Sequence, residues 1–267
     1  MGFTLKHIKK CDLSALLEDN YLSYYWIGFI LADGSISKKN ELKISVSLKD
    51  ENHLKKLQEF LKIKEIHYLK TTNGYNYVSI HGLDTEVMKE FCKKFSTGNN
   101  KTYNPANINW ITDEKLMLSL IAGFIDGDGC IDNQFGRPDF KLRIKCHNSW
   151  LPVLVEFIKF IYMNEAFEPV QPKINKSGYA ELTVTNTVIL KNLKKKILNL
   201  KLPIMNRKWE IIDLNYISRN ENAEYIKKQV IQLLLDGKKN KQICQILNVH
   251  KSTVSIIKKN YLSSKNL

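Results

Sequence analysis

Two short runs of the sequence each end in an aspartate followed by a glycine, and their residue types are suited to chemistry. The run WIGFILADG ends at Asp33-Gly34, and the run IAGFIDGDG ends at Asp128-Gly129, 95 residues further along the chain. Each run is apolar and has a glycine at its third position, which lets one helix approach another closely. If the two helices pack side by side, Asp33 and Asp128 lie together, where they repel each other unless a cation lies between them.

A pair of aspartates that shares a divalent cation is suited to phosphodiester hydrolysis. Mg²⁺ is bound in proteins through one or two carboxylates, keeps several waters and accepts phosphate oxygens as further ligands. A cation held in this way activates a water molecule and stabilises the leaving oxygen. A single Asp-Gly after an apolar run is a common turn signal, but two such pairs at equivalent places of a repeat favour a shared site.

The repeat extends beyond these two runs and predicts the elements that position them. In each half the run is followed by strands with alternating apolar residues, a helix with one apolar face, a further short strand and a Lys-rich helix. Strands are predicted at 42–48, 75–80, 140–146 and 179–184, and helices at 51–62, 84–95, 150–162 and 187–198. We therefore predict an α+β fold of two tandem αββαββα halves, related by a pseudo-twofold axis, with two antiparallel sheets that form a saddle.

Composition divides the chain into three predicted domains. The first half with the start of an Asn-rich linker takes residues 1–105, and the second half takes residues 106–216. Residues 217–267 contain ten positive and three negative side chains, and therefore carry +7 of the net charge. Their pattern of three helices, with a three-residue turn before the last, predicts a helix-turn-helix module. Its expected core is Ile243, Ile246, Leu247, Val249, Val254 and Ile257.

The overall charge indicates a polyanionic partner, with solubility alone as the alternative. The chain has 41 Lys and Arg against 27 Asp and Glu, a net charge of +14 in 267 residues. The longest apolar stretch, 116–125, is too short to cross a membrane, and residues 1–12 have no apolar signal core. The five cysteines are scattered without zinc-finger spacing, and neither a P-loop nor a dinucleotide fingerprint occurs. These features favour a soluble intracellular protein without a membrane partner.

The two Asp-Gly runs resemble the LAGLIDADG signature of homing endonucleases. The second run matches it closely, the first is looser, and the resemblance covers residues 20–216. It implies a monomeric enzyme, without an obligate protein partner, that cuts both strands of a specific double-stranded DNA site and leaves short 3′ overhangs. It also implies that Mg²⁺ or Mn²⁺ supports cleavage, whereas Ca²⁺ binds without supporting it.

The resemblance also assigns the metal ligands of such an enzyme. These are the carboxylates of Asp33 and Asp128 and the main-chain carbonyls just before them, at Ala32 and Gly127. The second run has one more acid, Asp126, where the first run has Leu31. Because its counterpart is apolar, we expect Asp126 to cap or pack rather than bind the metal.

Basic or polar side chains are expected around the scissile phosphates, where they polarise water and neutralise transition-state charge. By position, the resemblance suggests Lys49 after the second strand, with His147 as its counterpart in the second half. It also suggests Lys101 and Lys208, which follow the third helix of each half, with Arg207 beside the latter.

The DNA would be read by outward-facing strand positions in this family, and by the last helix of the C-terminal module. In the first half the candidates are Lys43, Ser45 and Ser47, with Ser35, Ser37, Lys39, Tyr75 and Tyr77. In the second half they are Arg137, Lys141, Arg143 and Lys145, with Gln134, Lys173 and Thr183. By likeness to resolvase-type modules, Lys251, Ser252, Thr253 and Ser255 would face the groove, and Lys258 and Lys259 would bind phosphates.

Two other functions remain open at this point. One is a transcription regulator that keeps this scaffold and the helix-turn-helix without cleavage, as a bacterial sporulation-linked family does. The presence of both Asp33 and Asp128 argues against it. The other is a maturase that assists the splicing of its host intron RNA. The expected location is a bacterial or phage-infected cytoplasm, or an organelle if the gene lies in an organellar intron.

Overall fold

The computed structural model of the chain describes residues 11–70, 76–133, 140–217 and 219–265. The DNA-contact candidates Tyr75, Gln134 and Arg137 lie outside this part of the chain. Contacts divide the protein into two compact units, Met1–Asp213 and Leu214–Leu267, which are described separately. Within the described residues, no helix is long and apolar enough to span a bilayer.

The first half of the larger unit follows the predicted order of elements. After a 3₁₀ turn at Ser14–Leu17, the elements are α1 (Tyr21–Asp33), β1 (Gly34–Ile36), β2 (Leu42–Ser47), α2 (Glu51–Phe60), β3 (His67–Lys70), β4 (Asn76–Gly82) and α3 (Thr85–Lys94). Polar side chains cap two helices of this half: Asn20 accepts a hydrogen bond from the Ser23 amide at the start of α1. Asp84 does the same for α3 through the Val87 amide.

The second half repeats this order and adds one short helix. Its elements are α4 (Glu114–Asp128), β5 (Gly129–Asn133), β6 (Phe140–His147), α5 (Leu151–Ile161), β7 (Lys173–Ile174), β8 (Tyr179–Val184), α6 (Thr187–Asn199) and α7 (Asn206–Trp209). The predicted α+β class with two tandem αββαββα halves is therefore confirmed. The short helix α7 was not predicted.

Each half contains one four-stranded antiparallel sheet, and the two sheets have the same topology. The strand orders are β1-β2-β4-β3 and β5-β6-β8-β7. Side chains alternate between the faces, since Leu42, Ile44 and Val46 of β2 are buried. The outward positions of the two central strands hold the candidates Lys43, Ser45, Ser47, Lys141, Arg143 and Lys145, all at least partly exposed. Each sheet therefore has an apolar face in the core and a polar face available to a partner.

The strand registers show that the expected pairing of Lys49 with His147 is wrong by two positions. The motif glycines pair with equivalent isoleucines, Gly34 with Ile44 and Gly129 with Ile144. This places β2 and β6 at an offset of 100 residues, so His147 corresponds to Ser47 and Lys49 corresponds to Ser149. The connection between the two strands is five residues longer in the second half, and the sequence match allowed for only three of them.

Helices α1 and α4 join the two halves by a contact of main chain against main chain. A Cβ atom added at Gly28 would lie 1.9 Å from the carbonyl oxygen of Leu120. One added at Gly123 would lie 1.8 Å from the carbonyl oxygen of Tyr25. Both distances are far inside van der Waals contact, so glycine is required at both positions. The contacts are reciprocal under the 95-residue repeat, as a pseudo-twofold arrangement of α1 and α4 requires.

The smaller unit is a three-helix module with its own core. Its helices are α8 (Arg219–Leu235), α9 (Asn240–Leu247) and α10 (Lys251–Lys265). Val230, Ile243 and Val254 are fully buried at its centre. Asn248 has a left-handed backbone with φ of 50°, which ends α9 and starts the turn before α10. The expectation that Ile246 lies in the core is wrong, because its position on α9 leaves it 57% exposed.

Gly123→Ala tests the contact between the halves. We expect the first unit to lose about 3 kcal/mol or more, because α1 and α4 must separate to admit the methyl group. Gly178→Ala is the matched control, since φ there is 78° but an added Cβ meets no atom within 4 Å. It should cost only the left-handed backbone penalty of about 1–2 kcal/mol. Equal losses from both variants in chemical denaturation would contradict the packing account.

Candidate active site

Asp33 and Asp128 are the last residues of α1 and α4, and the contact between these helices brings their ends together. A Cβ added at Gly127 would lie 3.5 Å from the carboxyl carbon of Asp33. It would also lie 2.3 Å from the Cβ of Ala32, which is too close for any side chain. The main chain of one motif therefore lies directly against the acid of the other.

Both acids hold their protons more strongly than free aspartates. Burial, and then the charge of Asp128, raise the pKa of Asp33 from 3.8 to about 6, although Lys208 and Lys101 oppose the shift. Burial also raises the pKa of Asp128, against the same two lysines. The two acids lie at helix C-termini, whose dipoles add further negative potential. The ionised pair is therefore costly without a cation.

Two lysines lie near the acid pair, and their ammonium groups bind main-chain carbonyl oxygens at the ends of the motif helices. Lys101 Nζ donates to the carbonyl oxygens of Leu31 and Ala32, both at 2.6 Å. Lys208 Nζ lies 2.6–2.9 Å from four carbonyl oxygens, those of Ile125, Asp126, Gly127 and Gly129. These contacts satisfy carbonyls that a helix end leaves without partners. Burial lowers the pKa of both lysines, and the nearby aspartates oppose that shift.

The donor set at the helix ends fits a hard divalent cation. It consists of the Asp33 and Asp128 carboxylates and the carbonyl oxygens of Ala32 and Gly127. Each of these carbonyls accepts a lysine hydrogen bond and keeps a second lone pair. In the described ranges, no three His, Cys, Asp or Glu side chains cluster as a metal site. A cation bound here would therefore take its remaining ligands from water or from a phosphate, as Mg²⁺ commonly does.

The other two candidate catalytic side chains, Lys49 and His147, lie where the second strand of each half ends and a 3₁₀ turn follows. Lys49 is exposed in the 3₁₀ turn Leu48–Asp50 after β2. The Nδ1 atom of His147 lies 3.0 Å from Ser149 Oγ and caps the turn that follows β6. Its ring also packs edge-on against Tyr103, with centroids 4.7 Å apart. Among the described residues, no hydrogen bond or ion pair joins either side chain to Asp33 or Asp128.

Asp126 is buried in a hydrogen-bonded network beside the site, as expected of a structural acid. Its side chain is 1% exposed and accepts hydrogen bonds from Tyr25 OH at 2.6 Å, Trp209 Nε1 at 2.8 Å and the Met205 amide at 2.9 Å. His53 Nε2 lies 3.0 Å from the same tyrosine hydroxyl. Burial, together with the charge of Asp126, raises the pKa of Tyr25 well above its usual range, so the tyrosine remains a donor.

The chain segments that carry the two lysines are each held by a side chain that follows the second strand of the other half. Asp50 accepts a bidentate ion pair from Arg207, at 2.6 and 2.8 Å. Trp150, which corresponds to Asp50 at the offset of 100, donates its indole N–H to the carbonyl oxygens of Lys101 and Thr102. Sequence reasoning missed both residues, because no local pattern marks a contact across the halves.

The polar faces of the sheets carry residues that the sequence predicted and others that it missed. Lys145 lies over the ring of Tyr179 at 4.5 Å, and Arg143 pairs with Asp132 at 3.4 Å. His67 and His81 lie on the polar face of the first sheet, with ring centroids 5.1 Å apart. They were missed because two isolated histidines in weak strand patterns give no signal.

In the smaller unit, the predicted groove-facing residues lie on the first turns of α10. Lys251, Ser252, Ser255, Lys258 and Lys259 are exposed, and Thr253 is partly buried. The Ser252 amide donates to His250 Nδ1 at 3.3 Å, so the histidine of the turn caps α10. A row of exposed cations on one helix suits contact with a polyanion.

Comparison with known proteins gives one family match and several structural likenesses. Residues 221–266 match a family described as a homeodomain-like domain. No curated protein sequence matches the chain.

Solved structures similar to this chain include two meganucleases and one further protein, all at 14% sequence identity. I-CpaMI, a LAGLIDADG meganuclease bound to uncleaved DNA, has a TM-score of 0.44 over 80% of this chain and 92% of its own. I-SmaMI, bound to an uncleaved DNA target with calcium ions, has a TM-score of 0.47 over 88% and 96%. Full-length DUF199/WhiA from Thermatoga maritima has a TM-score of 0.48 over 91% and 90%.

Asp33→Asn tests the electrostatic cost of the acid pair. Because the folded protein binds the Asp33 proton up to a pKa of about 6, while an unfolded aspartate releases it near 3.8, stability is lost as the pH rises through this window. In metal-free solution near pH 7.5, the variant should therefore be more stable than the wild type by about 1–3 kcal/mol. The difference should shrink as the pH falls towards about 4.

Asp132→Asn is the control for this comparison, since Asp132 lies on the neighbouring strand in a partly exposed ion pair. Its effect should be small at every pH. Added Mg²⁺ should stabilise the wild type and not Asp33→Asn, because only the folded wild type binds it. Thermal and denaturant unfolding measure both effects. If Asp33→Asn were no more stable than wild type near pH 7.5, the ionised acid pair would not destabilise the folded protein.

Proposed function

We propose that this protein is a site-specific endonuclease of the LAGLIDADG homing type, which hydrolyses both strands of a DNA duplex. The observation that carries the proposal is the pair Asp33 and Asp128 at the joined ends of α1 and α4, with Lys101 and Lys208 beside them. A purely structural role does not explain two buried acids with raised pKa values at a helix junction. Phosphodiester chemistry with a divalent cation does.

Each group of residues in the site has its own role in hydrolysis. Asp33, Asp128 and the carbonyls of Ala32 and Gly127 would hold Mg²⁺ or Mn²⁺, which would supply Lewis acidity and activate a water molecule. The ammonium groups of Lys101 and Lys208 neutralise the negative charge that grows on the phosphate oxygens. One P–O bond forms to the water oxygen as the P–O bond to the leaving strand breaks. The water releases a proton to solvent, and the leaving oxygen takes one up.

Duplex DNA also fits the polar and charged surfaces of each unit, taken separately. The polar faces of the two sheets present lysine, arginine, serine and histidine side chains, which pair with base edges and phosphates. The smaller unit carries +7 and matches a homeodomain-like family, in which a helix of this kind enters the major groove. The repeat of the two halves also suits a partly symmetric target.

A DNA-binding regulator without cleavage is the second candidate. The basic helix-turn-helix favours it, because this module and the sheet faces bind DNA without any metal. Such a regulator gains nothing from Asp33 and Asp128, since carboxylates neutralise no phosphate. The endonuclease is therefore the better-supported function.

Asp33→Asn and Asp128→Asn separate cleavage from binding. Each should reduce double-strand cleavage at least about 10³-fold, because the cation loses a charged ligand. DNA affinity should stay within about threefold of wild type, since neither acid neutralises a phosphate. The substrate is the duplex formed by joining the two host sequences that flank the gene, measured with Mg²⁺ and with Mn²⁺.

Glu86→Gln is the control here, because Glu86 lies in an exposed ion pair with Lys89 on α3, and it should cut like the wild type. Wild-type cutting by either motif variant would remove the site assignment. A wild-type protein that binds this duplex tightly and leaves it intact with both metals would support the regulator.

The salt dependence of DNA binding tests the smaller unit. The variant replaces three exposed lysines of α10 by alanine: Lys251, Lys258 and Lys259. If each contacts a phosphate, the slope of log K against log salt should fall by about 2–3. The control removes the same charge from helices of the larger unit, at three lysines with acidic partners: Lys55, Lys89 and Lys159. Equal slopes for both triple variants would make the module a structural cap.

A further inference from the structure

The supports of the two lysines differ, because the segment that carries Lys208 is held by Asp126 in addition to the ion pair of Asp50 with Arg207. Lys208 lies in the four-residue helix α7, and both ends of that helix are bonded to Asp126. The amide of Met205, at the start, donates at 2.9 Å, and the indole of Trp209, at the end, donates at 2.8 Å. The first half has Leu31 at the position of Asp126, so it has no equivalent anchor.

The lysine of the first half is held instead by neutral groups. The indole of Trp150 donates to the carbonyl oxygens of Lys101 and Thr102, both at 3.2 Å. The hydroxyl of Ser149 donates to the same Thr102 carbonyl at 2.7 Å. In the part of the chain that the structure describes, no hydrogen bond links Trp150 or Ser149 to Asp126 or Lys208. The two lysines therefore have separate supports.

Asp126 can hold Lys208 in place although its carboxylate does not contact the Lys208 side chain. Its two oxygens accept three hydrogen bonds in a site that is 1% exposed, so any displacement would leave buried donors unpaired. With both ends of α7 fixed, the ammonium of Lys208 is directed at the four carbonyl oxygens around Gly127. An amide at position 126 offers one acceptor oxygen, and its NH₂ group would face a donor.

We propose that Asp126 is a positioning residue for Lys208 alone, and that Trp150 has this role for Lys101. The two lysines are related by the same repeat that relates the halves, as the two scissile phosphates of a duplex are related by its twofold symmetry. Each lysine therefore serves one strand. Loss of one support slows the cut of one strand and leaves the other. This consequence rests on the proposed endonuclease function, whereas the link between Asp126 and Lys208 does not.

Strand-specific cleavage tests the proposal with Asp126→Asn and Trp150→Phe. The substrate is a supercoiled plasmid that carries the joined host flanks, with end-labelled duplex to identify the strand. Each variant should accumulate nicked circles, with the second cut slowed about 10²-fold, the cost of misplacing a catalytic group by about 1 Å. The two variants should nick opposite strands. Trp209→Phe, which removes one donor to Asp126, should slow the same strand as Asp126→Asn by a smaller factor.

Lysine labelling of the protein alone gives a readout that does not depend on cleavage. Acetic anhydride followed by peptide mass spectrometry should modify Lys208 about tenfold faster in Asp126→Asn, because α7 opens locally. Lys101 should react as in the wild type, and Trp150→Phe should give the reverse pattern. Similar melting temperatures would show that the fold is retained.

The outcomes distinguish the positioning role of Asp126 from the proposed endonuclease function. Equal slowing of both strands in Asp126→Asn, or unchanged labelling of Lys208, would overturn the positioning role. A wild-type protein that leaves the plasmid uncut with Mg²⁺ and Mn²⁺ would overturn the proposed function. In that case the labelling pattern would still decide whether Asp126 positions Lys208.

Discussion

Main chain lies against main chain where α1 meets α4, and the arrangement of the larger unit depends on this contact. Gly28 and Gly123 each lie against a carbonyl oxygen of the other helix, at distances that exclude even a methyl group. This approach places the helix ends together, and with them Asp33 and Asp128. It also fixes the two sheets with respect to each other, because each motif helix leads directly into the first strand of its half.

The close approach of α1 and α4 brings negative charges together, and the rest of the site compensates these charges only in part. Two helix C-termini and two acids meet in a buried place, and Lys101 and Lys208 bind the carbonyl groups rather than the carboxylates. The acids therefore keep raised pKa values and free lone pairs. A site of this kind favours a bound cation, and under the proposed function the oxygens of a phosphodiester would be its remaining ligands. The two lysines remain near the place where charge would develop.

Much of this architecture was predictable from the sequence, because a pattern that occurs twice in the same order is a stronger signal than a single occurrence. Two copies of the same apolar run, strand and helix order predicted the fold class and the meeting of Asp33 with Asp128. The pairing of Lys49 with His147 failed because a longer strand connection shifted the alignment. The partners of Asp126, and the ion pair between Asp50 and Arg207, join residues 79 to 157 positions apart. No local pattern marks contacts at such separations, so only the folded chain reveals them.

The central claim is that the two motif aspartates hold one shared divalent site. Anomalous diffraction from crystals of the protein with its DNA, grown with Mn²⁺, tests it most directly. The account predicts a manganese peak between the carboxylates of Asp33 and Asp128, within about 2.0–2.6 Å of an oxygen of each, the range for divalent cations bound by oxygen. Manganese bound to other residues, with none at this pair, would contradict it.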